Sequence, residues 1–425
     1  MTDSYLGIDI GTSGVRAFQI DSAGQVLASA RSTFPATQMK NGMLCQQPDD
    51  WWRGVLNCLQ QLAEKAPGLG GVRALAIDGT SGTTLLTDAQ NHPVSPALMY
   101  NDVRPASLGA ELAELAPGIP ACSRSSSLAK AVWLQRSETP AAEYFIQQQA
   151  DWLLAKFRGT PGCSDWNNAL KLGFDAELLG WPDWLNKIIP AHGHLPAVHR
   201  PGDRVATIAP AIARQTGLPP TTRLHAGTTD SIAAFLASGA SQPGDAVTSL
   251  GSTLVLKLCT QHPVASVEYG IYSHRLDETR WLAGGASNTG GAVLKKEFSA
   301  DELKTLSAQM DTNGETGFDY YPLPAPGERF PFPDTDKKSV MTPRPASQVT
   351  YLQAIFEGIA RIEKQGYDLL EELSNETVLS IRSCGGGAAN PAWTRIRQRI
   401  LQRPLIDAAQ TEAAYGSALL AAGKL

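Results

Sequence analysis

Asp9 closes an apolar run and is followed by Gly11, Thr12, Ser13 and Gly14 before apolar residues resume at Val15. A carboxylate at a strand end, beside a turn of glycines and hydroxyls, can hold a phosphate group and its hydrated cation. Amides of a tight turn converge on the anion, and the hard carboxylate oxygen suits the cation. Residues 247–258 repeat the strand, turn and strand pattern around Gly251, Ser252 and Thr253, without the acid. A third glycine cluster, Gly385, Gly386 and Gly387, leads through Ala388 and Ala389 to Asn390 and Pro391. Backbone without side chains lets a flat ring approach, which suits a nucleotide base or ribose. Between these stands Asp230, after an extended run and at the start of a helical pattern, where the helix dipole favours the anion. Each feature also has a plain reading as a hairpin turn, a strand-to-helix turn or a helix N-cap.

The elements that must position these residues follow from periodicity. Residues 5–10, 15–20 and 26–32 read as a β-meander. Pro48, Asp49 and Asp50 start a helix to about residue 66, and 72–77 is a buried strand that ends at Asp78-Gly79-Thr80-Ser81-Gly82. From 107 to about 157 the apolar spacing is helical. Residues 159–201, rich in Gly, Pro, Trp and Asn, read as a surface-crossing segment of the kind that forms the lip of a site. A helix over 231–238 precedes the second hairpin, and 320–345 is a long Pro-rich loop. A long helix over 348–373, a strand over 378–381 and a helix over 393–401 follow. The last helix, from about Thr411, has a small-residue face for packing on the first domain.

Composition narrows the function classes. A chain of 425 residues exceeds one hydrophobic core, so two domains are expected. A net charge of -5 argues against nucleic acid as partner. No apolar run is long enough for a bilayer, and residues 1–4 lack the start of a signal peptide, so a cytoplasmic protein without membrane partners is expected. The six cysteines are dispersed without a Cys-x-x-Cys pair and read as structural. His192, His194 and His199 sit among Gly, Pro and Ala and read as loop residues rather than metal ligands.

Taken in order, the Asp9 hairpin, the 225–231 stretch, the Gly251 hairpin and the Gly385–Asn390 turn resemble the FGGY carbohydrate kinases. Residues 98–104 are similar to the aromatic-Asn-Asp-x-Arg stretch of that family's sugar site, and 130–134 to its Lys-x-x-Trp-Leu segment. The resemblance implies an α/β fold of two ribonuclease-H-like, actin/hexokinase-type ATPase domains around a central cleft. It implies a sugar-binding domain over 1–236, with the helix 411–425 packed back on it, and a nucleotide-binding domain over 237–410. It implies ATP and Mg²⁺ as cofactors, a small sugar as partner, and a monomer or homodimer. Asp230 matches the family's base, with Asp9 as metal holder and Thr12 facing the transferring phosphoryl group, these three forming the catalytic set. Asp9, Ser13, Gly14, Arg16, Thr80, Ser81, Asn101, Asp102, Arg104 and Asp230 would meet the sugar and the phosphoryl group. Thr12, Ser13, Gly251, Ser252, Thr253, Gly291, Gly386, Gly387 and Asn390 would hold the nucleotide.

The chain departs from the xylulokinase pattern at Thr80-Ser81, where those enzymes carry Met-His. A Ser hydroxyl in place of a His donor changes the hydrogen bonding of the pocket. With the compact length and the 78–82 loop, this points to D-ribulose phosphorylated at O5, with D-xylulose as the alternative acceptor. A non-catalytic ATP or sugar sensor of the same fold is the other alternative, opposed by the presence of Asp230. The Asp-Thr-Ser-Gly-like loops also suggest an aspartic protease, but those need an all-β body that the helical periods exclude.

Overall fold

The computed structural model describes residues 3–35, 38–40, 43–116, 118–123, 126–140 and 142–424. The chain divides into two compact units, Met1–Ala237 with Glu412–Leu425, and Ser238–Thr411.

Unit 1 is built on β1 (Ser4–Ile10), β2 (Gly14–Asp21), β3 (Val26–Thr33), α1 (Pro48–Ala63), β4 (Val72–Gly79), β5 (Thr84–Thr87), α2 (Ser127–Glu138), β6 (Tyr144–Gln148), α3 (Gln149–Arg158), β7 (Arg204–Thr207), β8 (Arg223–His225), β9 (Thr228–Thr229) and α4 (Asp230–Ala237). The strands β7, β8, β4, β1, β2 and β3 lie side by side in that order, and β9 also pairs with β4. β1, β4 and β9 run parallel, with Asp9 opposite Asp78 and Asp78 opposite Thr228. Their carboxyl ends therefore bring Asp9, Asp78 and Asp230 to one edge of the sheet, the edge where ligands of such sheets bind. On one face, Trp51, Val55, Leu59 and Leu62 of α1 pack on Leu6, Ile8 and Val15. On the other, the C-terminal helix Ala413–Ala421 returns to the sheet, with Leu420 and Ala421 against Ala74 and Ala76.

The helical spacing of 107–157 is interrupted: β6 occupies Tyr144–Gln148 and pairs antiparallel with β5, Leu86 opposite Ile146. Polar residues made this strand hard to see. Gln147 is buried because its amide donates to Thr87 at 2.7 Å and to Asn91 at 2.6 Å, so the stretch shows neither alternation nor a polar face.

Unit 2 carries β10 (Asp245–Leu250), β11 (Leu254–Thr260), β12 (Tyr272–Arg275), β13 (Trp281–Ser287), α5 (Gly291–Glu297), α6 (Ala300–Ser307), α7 (Gln348–Ser374), β14 (Ser380–Cys384), α8 (Pro391–Leu401) and β15 (Leu405–Ile406). Its sheet has the order β12-β13-β11-β10-β14-β15, with β10 and β14 parallel. α7 lays Leu352, Ile355, Ile359, Ile362 and Leu370 into the core against Leu256, Leu258 and Ile381. Cys58, Cys122, Cys163, Cys259 and Cys384 are buried free thiols, while the side chain of Cys45 lies outside the described residues. Among the described residues no helix is long and apolar enough to cross a membrane.

Candidate functional site

The first cluster sits at the carboxyl edge of unit 1. Asp78 is fully buried, and its Oδ2 accepts a 2.6 Å hydrogen bond from Ser417 Oγ on the C-terminal helix. Its Oδ1 has no donor, yet Asp9 lies beside it. Burial holds the Asp9 carboxyl above its ordinary value, an effect that the hydrogen bond with Asp78 and the Arg16 guanidinium offset only in part. Burial, reinforced by the Asp9 charge, pushes Asp78 well above the ordinary carboxylate range. Two adjacent buried carboxyls oppose each other's ionisation, and the more deeply buried Asp78 is the one pushed further towards its protonated form. Asp78 was not singled out as a site residue, because its place comes from the β1–β4 register rather than from local pattern.

Asp230 starts α4, half-exposed, with Oδ1 accepting from the Ser231 amide at 2.7 Å. The cap and the base readings are thus both compatible with one carboxylate: one oxygen serves the helix end while the side chain keeps contact with solvent. Thr12 and Ser13 stand at the β1–β2 turn, which Gly11 N closes on Gly14 O at 3.0 Å. Gly14 is glycine because a Cβ there would lie 2.2 Å from Ser32 O, a close strand approach that by itself requires the missing side chain. Arg16 is held by carboxylates, donating to Asp9 at 3.0 Å and lying 3.1 Å from Glu412, so its charge acts on Asp9 rather than on a substrate.

The expected sugar loops divide between lining and scaffold. Thr80 is buried and committed: Gln149 Oε1 takes its amide at 3.0 Å and its hydroxyl at 2.7 Å. Asp102 is equally committed, gripping Arg104 through both carboxylate oxygens, and that guanidinium lies 5.1 Å from the Trp133 ring. Burial raises the Asp102 carboxyl, but the bonds from Arg104 outweigh it and hold it below the usual range. Ser81 and Asn101 have no internal hydrogen-bond partner among the described residues and are the side chains these loops leave open.

A Mg²⁺ ion fits this edge as a hydrated ion. Among the described residues no group of three His, Cys, Asp or Glu side chains is arranged to cage a metal. Asp9 offers one hard carboxyl oxygen donor, which suits a cation that keeps most of its waters and arrives with phosphates.

Unit 2 holds the second cluster, a pocket of about 690 Å³ between the β10–β11 turn, α5, α6 and the glycine turn after β14. That volume suits a nucleoside-sized ligand. Gly251, Ser252, Gly291, Gly386, Gly387 and Asn390 all line it, whereas Thr253 does not. Gly291 lines the pocket while its amide is spent on Gly251 O at 2.8 Å, so it binds the two turns together. Asn390 is an anchor: Oδ1 caps α8 through the amides of Ala392 and Trp393, and Nδ2 donates to Ser307 at 2.9 Å. Leu294, Leu303, Lys304 and Ser307 complete the wall and were missed. The only signal for them was the amphipathic pattern of α5 and α6.

Gly386 distinguishes ligand space from fold constraint. A Cβ there meets nothing within 4 Å, whereas one on Gly387 would lie 2.5 Å from the Trp393 ring. Gly386→Val is therefore expected to leave the melting temperature unchanged and to raise the KM for ATP roughly tenfold. An unchanged KM would remove Gly386 from the nucleotide site.

Residues 4–237 match the N-terminal domain, and residues 246–424 the C-terminal domain, of the FGGY family of carbohydrate kinases. A xylulose kinase from Streptomyces coelicolor is 27% identical, over 99% of this chain and 88% of its own length. A gluconokinase from Bacillus subtilis is 22% identical, over 96% of this chain and 84% of its own. Among solved structures, xylulose kinase from Rhodospirillum rubrum superposes with a TM-score of 0.84 at 22% identity, covering 99% of this chain and 89% of that one. Glycerol kinase from Plasmodium falciparum, solved with ADP, gives 0.83 at 18% identity, covering 100% and 90%. These two likenesses establish the fold, the two-domain actin/hexokinase-type ATPase architecture.

Proposed function

The chain belongs to the FGGY family of carbohydrate kinases, and from that premise we propose that it transfers the γ-phosphoryl group of ATP to a ketopentose, D-xylulose first. The observation that carries the proposal is the alignment of Asp9, Asp78 and Asp230 at one sheet edge, beside a loop whose open side chains are Ser81 and Asn101. D-Xylulose is favoured by the relatives named xylulose kinase, whose matches span nearly the whole chain. D-Ribulose is the second reading, favoured by Thr80-Ser81: with the Thr80 hydroxyl committed to Gln149, that pair offers the sugar the small Ser81 hydroxyl.

Phosphoryl transfer needs positioning, charge neutralisation and a proton acceptor. Asp230 is assigned the acceptor role, taking the proton of the attacking sugar hydroxyl as its oxygen bonds to the γ-phosphorus and ADP departs. Thr12 and Ser13 are assigned to the phosphoryl oxygens through amides and hydroxyls. Mg²⁺, when bound near Asp9, neutralises phosphate charge. Asp78 keeps Asp9 in place through the hydrogen bond between them, and Arg16 favours the Asp9 anion from the other side.

The test is sugar-dependent ADP release over D-xylulose, D-ribulose, D-gluconate and glycerol. The proposal expects kcat/KM to be highest with a ketopentose, D-xylulose leading. A larger value with D-gluconate or glycerol would overturn it.

A further inference from the structure

Lys130 is a buried cation that the roles above do not use. It lies on α2, fully buried. Its Nζ donates to Gly82 O at 2.8 Å and to Tyr100 O at 3.1 Å. Those two carbonyls belong to the turn that carries Ser81 and to the segment that carries Asn101. We propose that Lys130 is a positioning residue of the sugar site, whose ammonium group fixes the 80–82 turn and the 100–104 segment at the separation the acceptor requires. The inference rests on the assignment of these two segments to the sugar.

Other contacts support this role. Thr83 Oγ1 accepts the Tyr100 amide at 3.1 Å and meets the Thr80 hydroxyl at 2.6 Å, so the two segments are tied a second time, beneath the lysine. One turn along α2 from Lys130, Trp133 carries the Arg104 guanidinium, which grips Asp102. The helix thus holds the far segment at two points, a hydrogen-bonded cation and an aromatic face. An ammonium is costly to bury, and an apolar side chain would fill the space at lower cost. What the lysine adds is charged donors that reach two carbonyls at once. Ordering both segments before the sugar arrives lowers the cost of binding it.

The charges facing Lys130 are Asp102 from the 100–104 segment and Lys171 after the helix Trp166–Leu170. Burial, with Lys171 as a like charge, pulls the Lys130 ammonium down to about 7, while Asp102 acts in the opposite direction. The clamp is fully charged below neutrality and loses its charge as pH rises through about 7. Acceptor affinity should weaken in the same sense.

The experiment uses the full-length enzyme and whichever acceptor it phosphorylates best. Lys130→Met is expected to raise the acceptor KM about tenfold or more, while kcat moves less than about threefold and the KM for ATP is unchanged. In the wild type, acceptor affinity measured by calorimetry should fall from pH 6 to pH 9, and in Lys130→Met it should be flat. An unchanged acceptor KM, or a loss of kcat at constant KM, would overturn the inference. If Lys130→Met does not fold, a wild-type affinity independent of pH overturns it. A best acceptor other than a ketopentose overturns the ketopentose reading alone, since the Lys130 comparison is made with the acceptor found.

Discussion

Asp230→Ala is expected to lower kcat by about 10²–10⁴-fold while leaving the affinity for ATP unchanged. The side chain begins α4 at the end of β9, whose partner strand β4 carries Asp78 opposite Thr228 and ends at Gly79. Removing the carboxylate removes the only proposed acceptor for the hydroxyl proton, and water must then take its place. The pocket proposed for the nucleotide is lined by unit 2 residues, so binding of ATP, followed by calorimetry, is the internal control. Loss of the bond from the Ser231 amide is read separately, as any change in melting temperature, and is separable from turnover. A variant that keeps kcat within about tenfold of wild type would show that another group takes the proton.

The second large effect concerns stability. Glu363 on α7 and Arg397 on α8 form a fully buried pair, with Nε to Oε2 and Nη2 to Oε1 both at 2.7 Å. Thr248 of β10 donates to the same Glu363 at 2.6 Å, and Arg397 Nη1 donates to Ser383 of β14 at 2.7 Å. The pair therefore fastens both parallel strands whose turns line the unit 2 pocket. Arg397→Met would leave Glu363 charged and unpaired in the core, a cost of about 3–5 kcal/mol. For a unit of this size the transition should fall by roughly 10 °C. Because two units can unfold separately, the transition to follow is the one that ATP shifts upward. The double variant Glu363→Gln/Arg397→Met should recover much of the loss, since no charge is then stranded. A single variant within 1 kcal/mol of wild type would show that the pair is not the fastening described.

Much of this site was legible in the residues themselves. The two hairpin turns, Asp230 and the glycine run are local signals, set by turn chemistry and by the switch from extended to helical periodicity. Less legible were residues whose meaning comes from register or from distant chain. Asp78 becomes a partner of Asp9 only when β4 lies parallel to β1. Thr80 looked like a sugar ligand until Gln149, far along the chain, took its hydroxyl. Lys130 is visible in the sequence as the first residue of a Lys-x-x-Trp-Leu segment, but its partners, the carbonyls of Gly82 and Tyr100, come from distant chain. The strand Tyr144–Gln148 was hidden because its glutamines are buried with partners, which no pattern of polarity reveals.

The bond from Ser417 to Asp78 has a consequence for synthesis on the ribosome. It joins positions 339 residues apart, and the helix that carries Ser417 also covers Ala74 and Ala76. A nascent chain that has emerged only through Ala237 holds its sheet with one face bare and the inner aspartate without its hydroxyl donor. Vectorial synthesis thus delivers the whole of the intervening unit before the first one can be finished, so unit 1 is completed last although it is begun first.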